Sequence, residues 1–196
     1  MKKLFLALMA VAAITLTCCD DKEDIQPSQE ELDKALITAV KDALDTDGKA
    51  LVDFLKNNGY TDMGDNVFQN GDESCDIAYR EGGIVDDINL YTAISPSNFT
   101  ATKNYFLRME AACATVFPTG FEGDCELGEN VDNFANEVEF RNYMMTQVTE
   151  DQFTKTWNRC RARSDFNDSH IREIIFENSL DAGVWVSDLH IWKPEI

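Results

Sequence analysis

The chain is poor in the residues that most metal sites and nucleophilic enzymes need. Its 196 residues include only two histidines, and none of its six cysteines belongs to a Cys-x-x-Cys pair. It also lacks the Gly-x-Ser-x-Gly segment that places a serine nucleophile on a sharp turn. The cysteine and histidine spacings fit no zinc pattern. We therefore expect no cofactor and no metal, and we favour a non-enzymatic function.

Positive charge is scarce as well. The chain has 17 lysines and arginines against 36 aspartates and glutamates, which gives a net charge of −19. Such a charge repels nucleic acid phosphates and anionic lipid surfaces. We exclude a nucleic-acid partner, and we interpret most of the acidity as a device for solubility.

No apolar run is long enough to cross a bilayer as a helix. The longest, Leu4–Leu16, has thirteen residues, whereas a core of about 30 Å needs about twenty. It follows Met1-Lys2-Lys3, and a basic start before a short apolar run is typical of a secretory signal. We predict a signal peptide over residues 1–18. Without Lys2 and Lys3 the chain keeps 15 basic and 36 acidic residues, a net charge of −21.

The end of the apolar run resembles a bacterial lipobox. Leu16-Thr17-Cys18-Cys19 has a branched residue, two small residues and then a cysteine. In lipoproteins the last cysteine receives a diacylglycerol, and its freed amine is acylated. The resemblance implies that Cys19 carries the lipid. Cys18, preceded by Thr15-Leu16-Thr17, is the alternative, and a third interpretation leaves both thiols free or disulfide-bonded.

The residues after Cys19 resemble an export signal. Asp20-Asp21-Lys22-Glu23-Asp24 is similar to the lysine-and-acid run of surface lipoproteins from Bacteroides-type bacteria. This resemblance covers only the first 24 residues. It implies a palmitate-type anchor, an outer-membrane location and exposure at the cell surface. We expect residues 19–27 to form an acidic tether and residues 28–196 to form one globular domain.

Four cysteines follow the anchor. An even number in an oxidising compartment predicts two disulfides, and four cysteines allow three pairings. We favour Cys113–Cys125, which would close a turn-rich stretch, together with Cys75–Cys160, which would join the two halves of the domain.

Apolar spacing predicts a mainly helical fold. Ser28 and Glu31 form a capping box before a stripe of apolar residues at helical spacing. Ser95-Pro96 precedes a second strong stripe, which includes Phe99, Phe106 and Cys113. Altogether we predict about six helices, over residues 28–44, 47–59, 95–117, 131–148, 149–160 and 168–183.

Two segments depart from helical periodicity. Residues 75–91 alternate partly as in a strand, with Gly82-Gly83 as a hairpin turn, although we favour irregular structure with short helices there. Residues 184–192 are β-branched and aromatic, which indicates a strand. A lone strand needs a partner, so we expect one small β element that pairs 75–91 with 184–192. The predicted class is therefore a mainly α, disulfide-stabilised domain.

Several motifs that suggest chemistry have simpler explanations. Asp45-x-Asp47-Gly48 resembles part of a calcium loop, but the flanking ligand positions lack oxygen atoms, so we interpret it as a helix break. His170 and Glu173 would share a face of the predicted sixth helix, but two ligands do not make a metal site.

Paired carboxylates give equally weak signals. Glu137 and Glu139, or Asp86 and Asp87, could serve a glycosidase, yet with 36 acids neighbouring pairs arise by chance. Asp188 and His190 alternate on the predicted tail strand and should therefore face the same side.

The candidate ligand-binding residues are aromatic and basic. Trp185 and Trp192 flank the tail strand, but a spacing of seven should place them on opposite sides. Arg159, Arg161 and Arg163 form the one basic cluster, which we expect to pair with nearby carboxylates or, alternatively, to hold an anionic ligand.

One favoured function and three alternatives remain open at this point. We favour a non-enzymatic, lipid-anchored envelope protein that binds a glycan or protein ligand. The alternative from the binding class is a glycan-binding accessory lipoprotein, and the alternative from the enzyme class is a small hydrolase. A third hypothesis is an inhibitor-like role in which the acidic domain binds a basic protein.

Overall fold

The fold was examined in a computed structural model, which describes residues 27–92, 99–117, 120–153, 158–166, 170–179 and 184–192. The helices are α1 (Gln29–Ala43), α2 (Lys49–Asn57), α3 (Phe99–Val116), α4 (Glu137–Thr146) and the single turn α5 (Glu150–Phe153). The strands are β1 (Thr61–Gly64), β2 (Val67–Asn70), β3 (Glu73–Arg80), β4 (Ile84–Thr92), β5 (Phe121–Leu127), β6 (Asn130–Phe134), β7 (Asn158–Phe166), β8 (His170–Ser179) and β9 (Val184–Trp192).

All nine strands join one antiparallel sheet in the order β1-β2-β3-β4-β9-β8-β7-β5-β6. Strand β9 is inserted between β4 and β8, so it connects the early and late halves of the chain. The predicted mainly helical fold is therefore wrong: the described residues form a nine-stranded antiparallel sheet with four helices and one helical turn.

Side-chain alternation explains why the late segments are strands. In β8 the side chains of Arg172, Ile174 and Phe176 are buried, whereas those of Glu173, Ile175 and Glu177 are half-exposed. A period of two is the pattern of a strand with one covered face. The sixth predicted helix is consequently strand β8. In the described part of the predicted fifth helix, Glu150–Phe153 form the short α5, and strand β7 begins at Asn158.

The prediction for residues 61–92 was also wrong. They form the four strands β1–β4 rather than irregular structure with short helices. The less favoured alternation over Cys75 and Ile77 was the correct one, since both side chains are buried on β3. Gly82 and Gly83 make the turn to β4 with positive φ angles of 91° and 73°, which glycine adopts without a steric penalty. The expected pairing of the tail with this region is present between β4 and β9.

The first helix follows the sequence prediction closely. Ser28 Oγ accepts the Glu31 N–H, and the Glu31 carboxylate accepts the Ser28 N–H at 2.8 Å, which completes the capping box. The helix buries Leu36, Ile37 and Val40. Helix α2 begins at Lys49 after Gly48, which adopts a positive φ of 67°. A β-carbon at Gly48 would come within 2.7 Å of the Val85 side chain, so glycine is required there on two grounds.

Helix α3 lies across the sheet and forms the centre of the core. Its buried stripe includes Phe99, Phe106 and Cys113, as the spacing predicted. It packs on β8 and β9, and the Phe106 ring contacts the rings of Phe140 and Phe176 at 6.0 and 5.9 Å between centroids. Helix α4 lies on the same side through Phe140. The four helices and one face of the sheet thus share a single hydrophobic core.

The fourth predicted helix is wrong in extent and in orientation. Residues 130–134 are strand β6, and α4 starts only at Glu137. Val131, Val138 and Met145 fit a seven-residue helical spacing, yet each is more than half exposed. Phe140 and Met144 are buried instead, because helix α4 turns that side toward the core.

Only one disulfide links the described cysteines, and it matches neither predicted pair. Cys125 on β5 bonds to Cys160 on β7, directly opposite it in register. Cys75 and Cys113 are free thiols that are fully buried. Burial raises the pKa of Cys113 to about 11 and raises the pKa of Cys75 further. The predictions Cys113–Cys125 and Cys75–Cys160 are thus replaced by one strand-to-strand bridge.

A few charged groups are buried among the apolar side chains. Glu110 on α3 contacts Arg141 on α4, with 3.1 Å between Oε2 and Nε. Arg172 on β8 donates from Nε to Ser164 Oγ at 2.8 Å. Burial raises the pKa of Glu110 to about 7, although the charges of Arg141 and Arg172 oppose this shift.

None of the helices in the described ranges is both long and apolar enough to cross a membrane. Cys18 and Cys19, the predicted lipid-bearing residues, lie outside the described residues, as do the tether over 20–26 and the predicted helix start at Ser95-Pro96.

Candidate functional site

The candidate site lies on the face of the sheet opposite the helices, which we call the open face. Alternate residues of β4, β9, β8, β7 and β5 present side chains there, and those described are mostly half-exposed and polar. The register aligns them in rows across the strands. One row is Tyr91, Asp188, Ile175, Arg161 and Asp124, and the next is Asn89, His190, Glu173, Arg163 and Glu122.

The three arginines of the predicted basic cluster share this face. They occupy positions 159, 161 and 163 of β7, so the alternation of the strand brings them to one side. Arg159 contacts Glu126 at 2.8 Å, and Arg161 contacts Asp124 at 2.8 Å and Glu173 at 3.5 Å. Arg163 lies between Glu122 and Glu173 in register. The expected pairing with local carboxylates is therefore present for Arg159 and Arg161, and it disfavours an anion site.

Near the β4 end of these rows, His190 on β9 contacts the Asp87 carboxylate and the Trp192 indole. His190 Nε2 lies 2.6 Å from Asp87 Oδ1, and its ring stacks on Trp192 with 4.5 Å between centroids. The hydrogen bond with Asp87 raises the pKa of His190, and the negative charges of Asp87, Asp188 and Glu173 add to that shift against partial burial. Protonation of His190 is therefore favoured, and the imidazole is fixed beside the indole.

Asp188 stands next to this group, two residues before His190 on β9. Burial raises the pKa of Asp188 to about 6, and repulsion from Glu177 and Asp87 adds to the shift, while the His190 charge opposes it. Asn89 hydrogen-bonds to Asp188 across the strands. Nevertheless, Oδ1 of Asp188 and Oδ1 of Asn89 are buried without a donor among the described residues. Such acceptors are costly to leave unsatisfied. Because both oxygens are buried, a water or a ligand hydroxyl would reach them only after the neighbouring side chains move.

We call Asp87, Asn89, Asp188, His190 and Trp192 the His190 cluster. It combines an aromatic surface, acceptors that lack donors, and a fixed imidazole. Asp188 and His190 share a face, as the alternation predicted, and Trp192 and the three arginines join them on the open face. Trp185 lies opposite Asn178 at the far end of β9, and its side chain is outside the described part of the chain.

The remaining sequence candidates do not assemble into a site. Glu137 and Glu139 lie in the first turn of α4, on the covered side of the sheet. Asp45 is paired with Arg80 at 2.8 Å, and Asp47 Oδ1 accepts the Lys49 N–H. His170 and Glu173 lie on strand β8 and not on the helix that the sequence predicted.

Sequence reasoning missed Asn89 and gave Asp87 only an incidental role. Both lie in the stretch Asp87-Ile88-Asn89-Leu90-Tyr91, whose polar and apolar residues alternate. That alternation was available as a signal, but the partner strand 97 residues or more away could not be aligned with it from the sequence. Comparison with protein-family models gives no match, and neither do the comparisons with curated proteins and with solved structures.

Proposed function

We propose that the protein is a non-enzymatic, lipid-anchored protein of the bacterial cell envelope that binds a glycan on the open face of its sheet. The observation that carries the ligand class is the His190 cluster, in which the Trp192 indole stacks on His190, and Asn89 and Asp188 in the adjoining rows carry oxygens that lack a donor. Sugars combine an apolar ring face, which stacks on an indole, with hydroxyl groups that donate to carboxylate and amide oxygens.

The charges of the open face support a neutral ligand rather than an anion. Arg159 and Arg161 are each held by a carboxylate at 2.8 Å. The net charge of −19 adds a long-range repulsion toward anions. A neutral polysaccharide avoids that repulsion and can still use the polar rows across β4 and β9.

The lipid anchor is supported by the sequence alone. Lys2-Lys3, the apolar run and Cys19 resemble a lipoprotein signal, and the acidic run that follows resembles a surface-export signal. Three acyl chains would bury many more methylene groups than the single chain that gives only marginal attachment. The binding domain would thus act at the outer leaflet, where extracellular glycans are available.

The glycan proposal is tested by calorimetric titration of neutral and anionic polysaccharides into the purified protein. We expect heat from a neutral glycan, about tenfold weaker binding by Trp192→Ala, and near-normal binding by Trp192→Phe, which retains an aromatic ring. Met63→Ala, an exposed site at the sheet edge, is the matched control and should bind normally. No heat from any glycan, or equal binding by Trp192→Ala, would reject the proposal. Release of reducing ends that is lost in Asp188→Asn would instead indicate a hydrolase.

The anchor is tested separately by intact-mass measurement and membrane fractionation of the native protein. We expect an acylated N-terminal Cys19, and we expect Cys19→Ser to leave the protein unprocessed. Acylation of Cys18 would move the lipidation site by one residue. An unmodified N-terminus would contradict the lipid anchor.

A further inference from the structure

A recess that shares no residue with the His190 cluster lies between α1, the end of α2 and the β2–β3 hairpin. It has a volume of about 400 Å³, which lies within the range of small-molecule pockets. The apolar residues of its lining are buried or half-buried and form its floor, whereas most of the polar residues are exposed at its rim. Asp33 is the polar residue that is buried. The apolar lining is Leu32, Leu36, Phe54 and Tyr60, and the polar lining is Gln29, Asp33, Asn58, Asn70, Asp72 and Glu73.

The polar lining has a strong charge bias. It contains three carboxylates, from Asp33, Asp72 and Glu73, and neither lysine nor arginine. The nearby Arg108 bridges two of these acids, with its Nη2 atom 2.8 Å from Asp33 Oδ1 and 3.1 Å from Glu73 Oε1. One guanidinium therefore compensates two carboxylates, while Asp72 adds a third charge at the exposed rim.

Neutral donors also hold the carboxylates of Asp33 and Glu73 in place. Gln29 Nε2 donates to Asp33 Oδ1 at 2.9 Å, and the Tyr60 hydroxyl lies 3.4 Å from Glu73 Oε2. Tyr60 is itself buried, so its ring forms part of the floor while its hydroxyl approaches the Glu73 carboxylate. Carboxylates fixed beside an aromatic ring favour a cation with an apolar stem, because the charge meets the acids and the stem covers the ring.

We propose that this recess, the α1–β3 pocket, binds a small organic cation of the alkylammonium class. A bare metal ion is disfavoured, since the described residues, Asp33, Asp72 and Glu73 among them, include no group of three ligating side chains that could hold one. Anions are repelled by the lining and by the net charge of −19. The apolar floor distinguishes an alkylammonium group from ammonium itself. This site is independent of the glycan proposal, because the two share no residue.

The test follows backbone amide shifts by NMR while n-butylammonium is titrated into the purified protein, with n-butanol as the neutral compound of equal size. We expect n-butylammonium to shift amides of α1 and the β2–β3 hairpin with millimolar affinity, and n-butanol to shift them far less. Asp72→Asn should weaken binding about two- to fivefold, as expected for one partly exposed charge. High salt should weaken it further.

The control variant is Glu129→Gln, which removes the same charge from the exposed β5–β6 turn at the opposite edge of the sheet. Glu129→Gln should bind normally. Glu73→Gln provides a second test within the pocket, with thermal melting to show that the variant is folded. Equal shifts with n-butanol, shifts confined to other surfaces, or equal weakening by Glu129→Gln and Asp72→Asn would each overturn the proposal.

Discussion

The helix-covered face and the open face are built from the same strands, yet they carry opposite chemistry. On the covered face, Ile174, Phe176 and Leu189 are fully buried against α3. On the open face, the intervening positions carry arginines, carboxylates and His190. Burial free energy therefore resides on one side of the sheet, and the polar rows on the other side are available for binding.

The few buried charges sharpen this contrast. Arg172 and Glu110 are fully buried on the covered side, whereas Arg161 on the open face keeps about a third of its side-chain exposure. A buried charge that loses its partner costs several kcal/mol, whereas a partly exposed pair is worth about 1 kcal/mol or less. Loss of an ion-pair partner should therefore lower the free energy of unfolding more on the covered face than on the open face.

The largest effect should come from the centre of the covered face. Phe106→Ala removes a ring packed against Phe140 and Phe176, and we expect a loss of about 3–5 kcal/mol in the free energy of unfolding. The matched control is Ile175→Ala on the open face, which should cost about 1 kcal/mol or less. Urea denaturation measures both, and equal losses would contradict the division between the faces.

Loss of the disulfide should have the next largest effect. The double substitution Cys125→Ala and Cys160→Ala removes a link across 35 residues and should cost about 2–4 kcal/mol. Alkylation of the denatured, unreduced protein should label Cys75 and Cys113 but neither Cys125 nor Cys160. Labelling of Cys125 before reduction would contradict the assigned bridge.

Glu110 should make stability depend on pH. Its pKa is raised to about 7 in the folded protein, from an ordinary value of 4.5. The folded state then binds more protons than the unfolded state between these values, so stability should fall as pH rises from about 4.5 to 7, by roughly 2–3 kcal/mol.

The measurement is the slope of unfolding free energy against pH in Glu110→Gln. This substitution should flatten the slope, whatever its effect at a single pH. Glu139→Gln, an exposed position in the first turn of α4, should leave the slope unchanged. An unaltered slope in Glu110→Gln would assign the pH dependence to other groups, among them Asp188.

The smallest effect should come from an ion pair of the open face. Arg161→Met breaks the contact with Asp124, and we expect a change below about 1 kcal/mol in unfolding free energy. Thermal melts of the unmodified protein and the variant in low and high salt check this value. Salt screens the attraction between Arg161 and Asp124, so it should reduce the difference between the two proteins. A loss above 3 kcal/mol would mean that the open face also supports the fold.

Sequence patterns correctly predicted those features that depend on residues close together in the chain. The Ser28 capping box, the buried stripe of α3 and the tail strand all follow from residues close in the chain. In contrast, Val131, Val138 and Met145 matched a helical spacing by coincidence, and all three are exposed. Pairing between β5 and β7 joins residues more than 30 positions apart, so no local pattern specified it.

The candidate site likewise has one part that could be predicted from the sequence and one part that could not. Alternation on one strand was enough to predict that Asp188 and His190 share a face. The contact between His190 and Asp87 spans 103 positions and depends on the register of β4 with β9. The Cys125–Cys160 bridge likewise depends on two strands being neighbours, which the spacing of four cysteines cannot reveal.

The insertion of β9 between β4 and β8 has a consequence for how the chain matures. Until residues 184–192 have been synthesised, β4 and β8 each lack a neighbour, and two incomplete sheets expose unpaired backbone groups. The sheet can be completed only when β9 pairs with both β4 and β8. Folding of the whole sheet is therefore delayed while a ribosome or secretion channel still holds β9. A premature stop codon before Val184 should therefore yield aggregation-prone fragments rather than a shortened functional product.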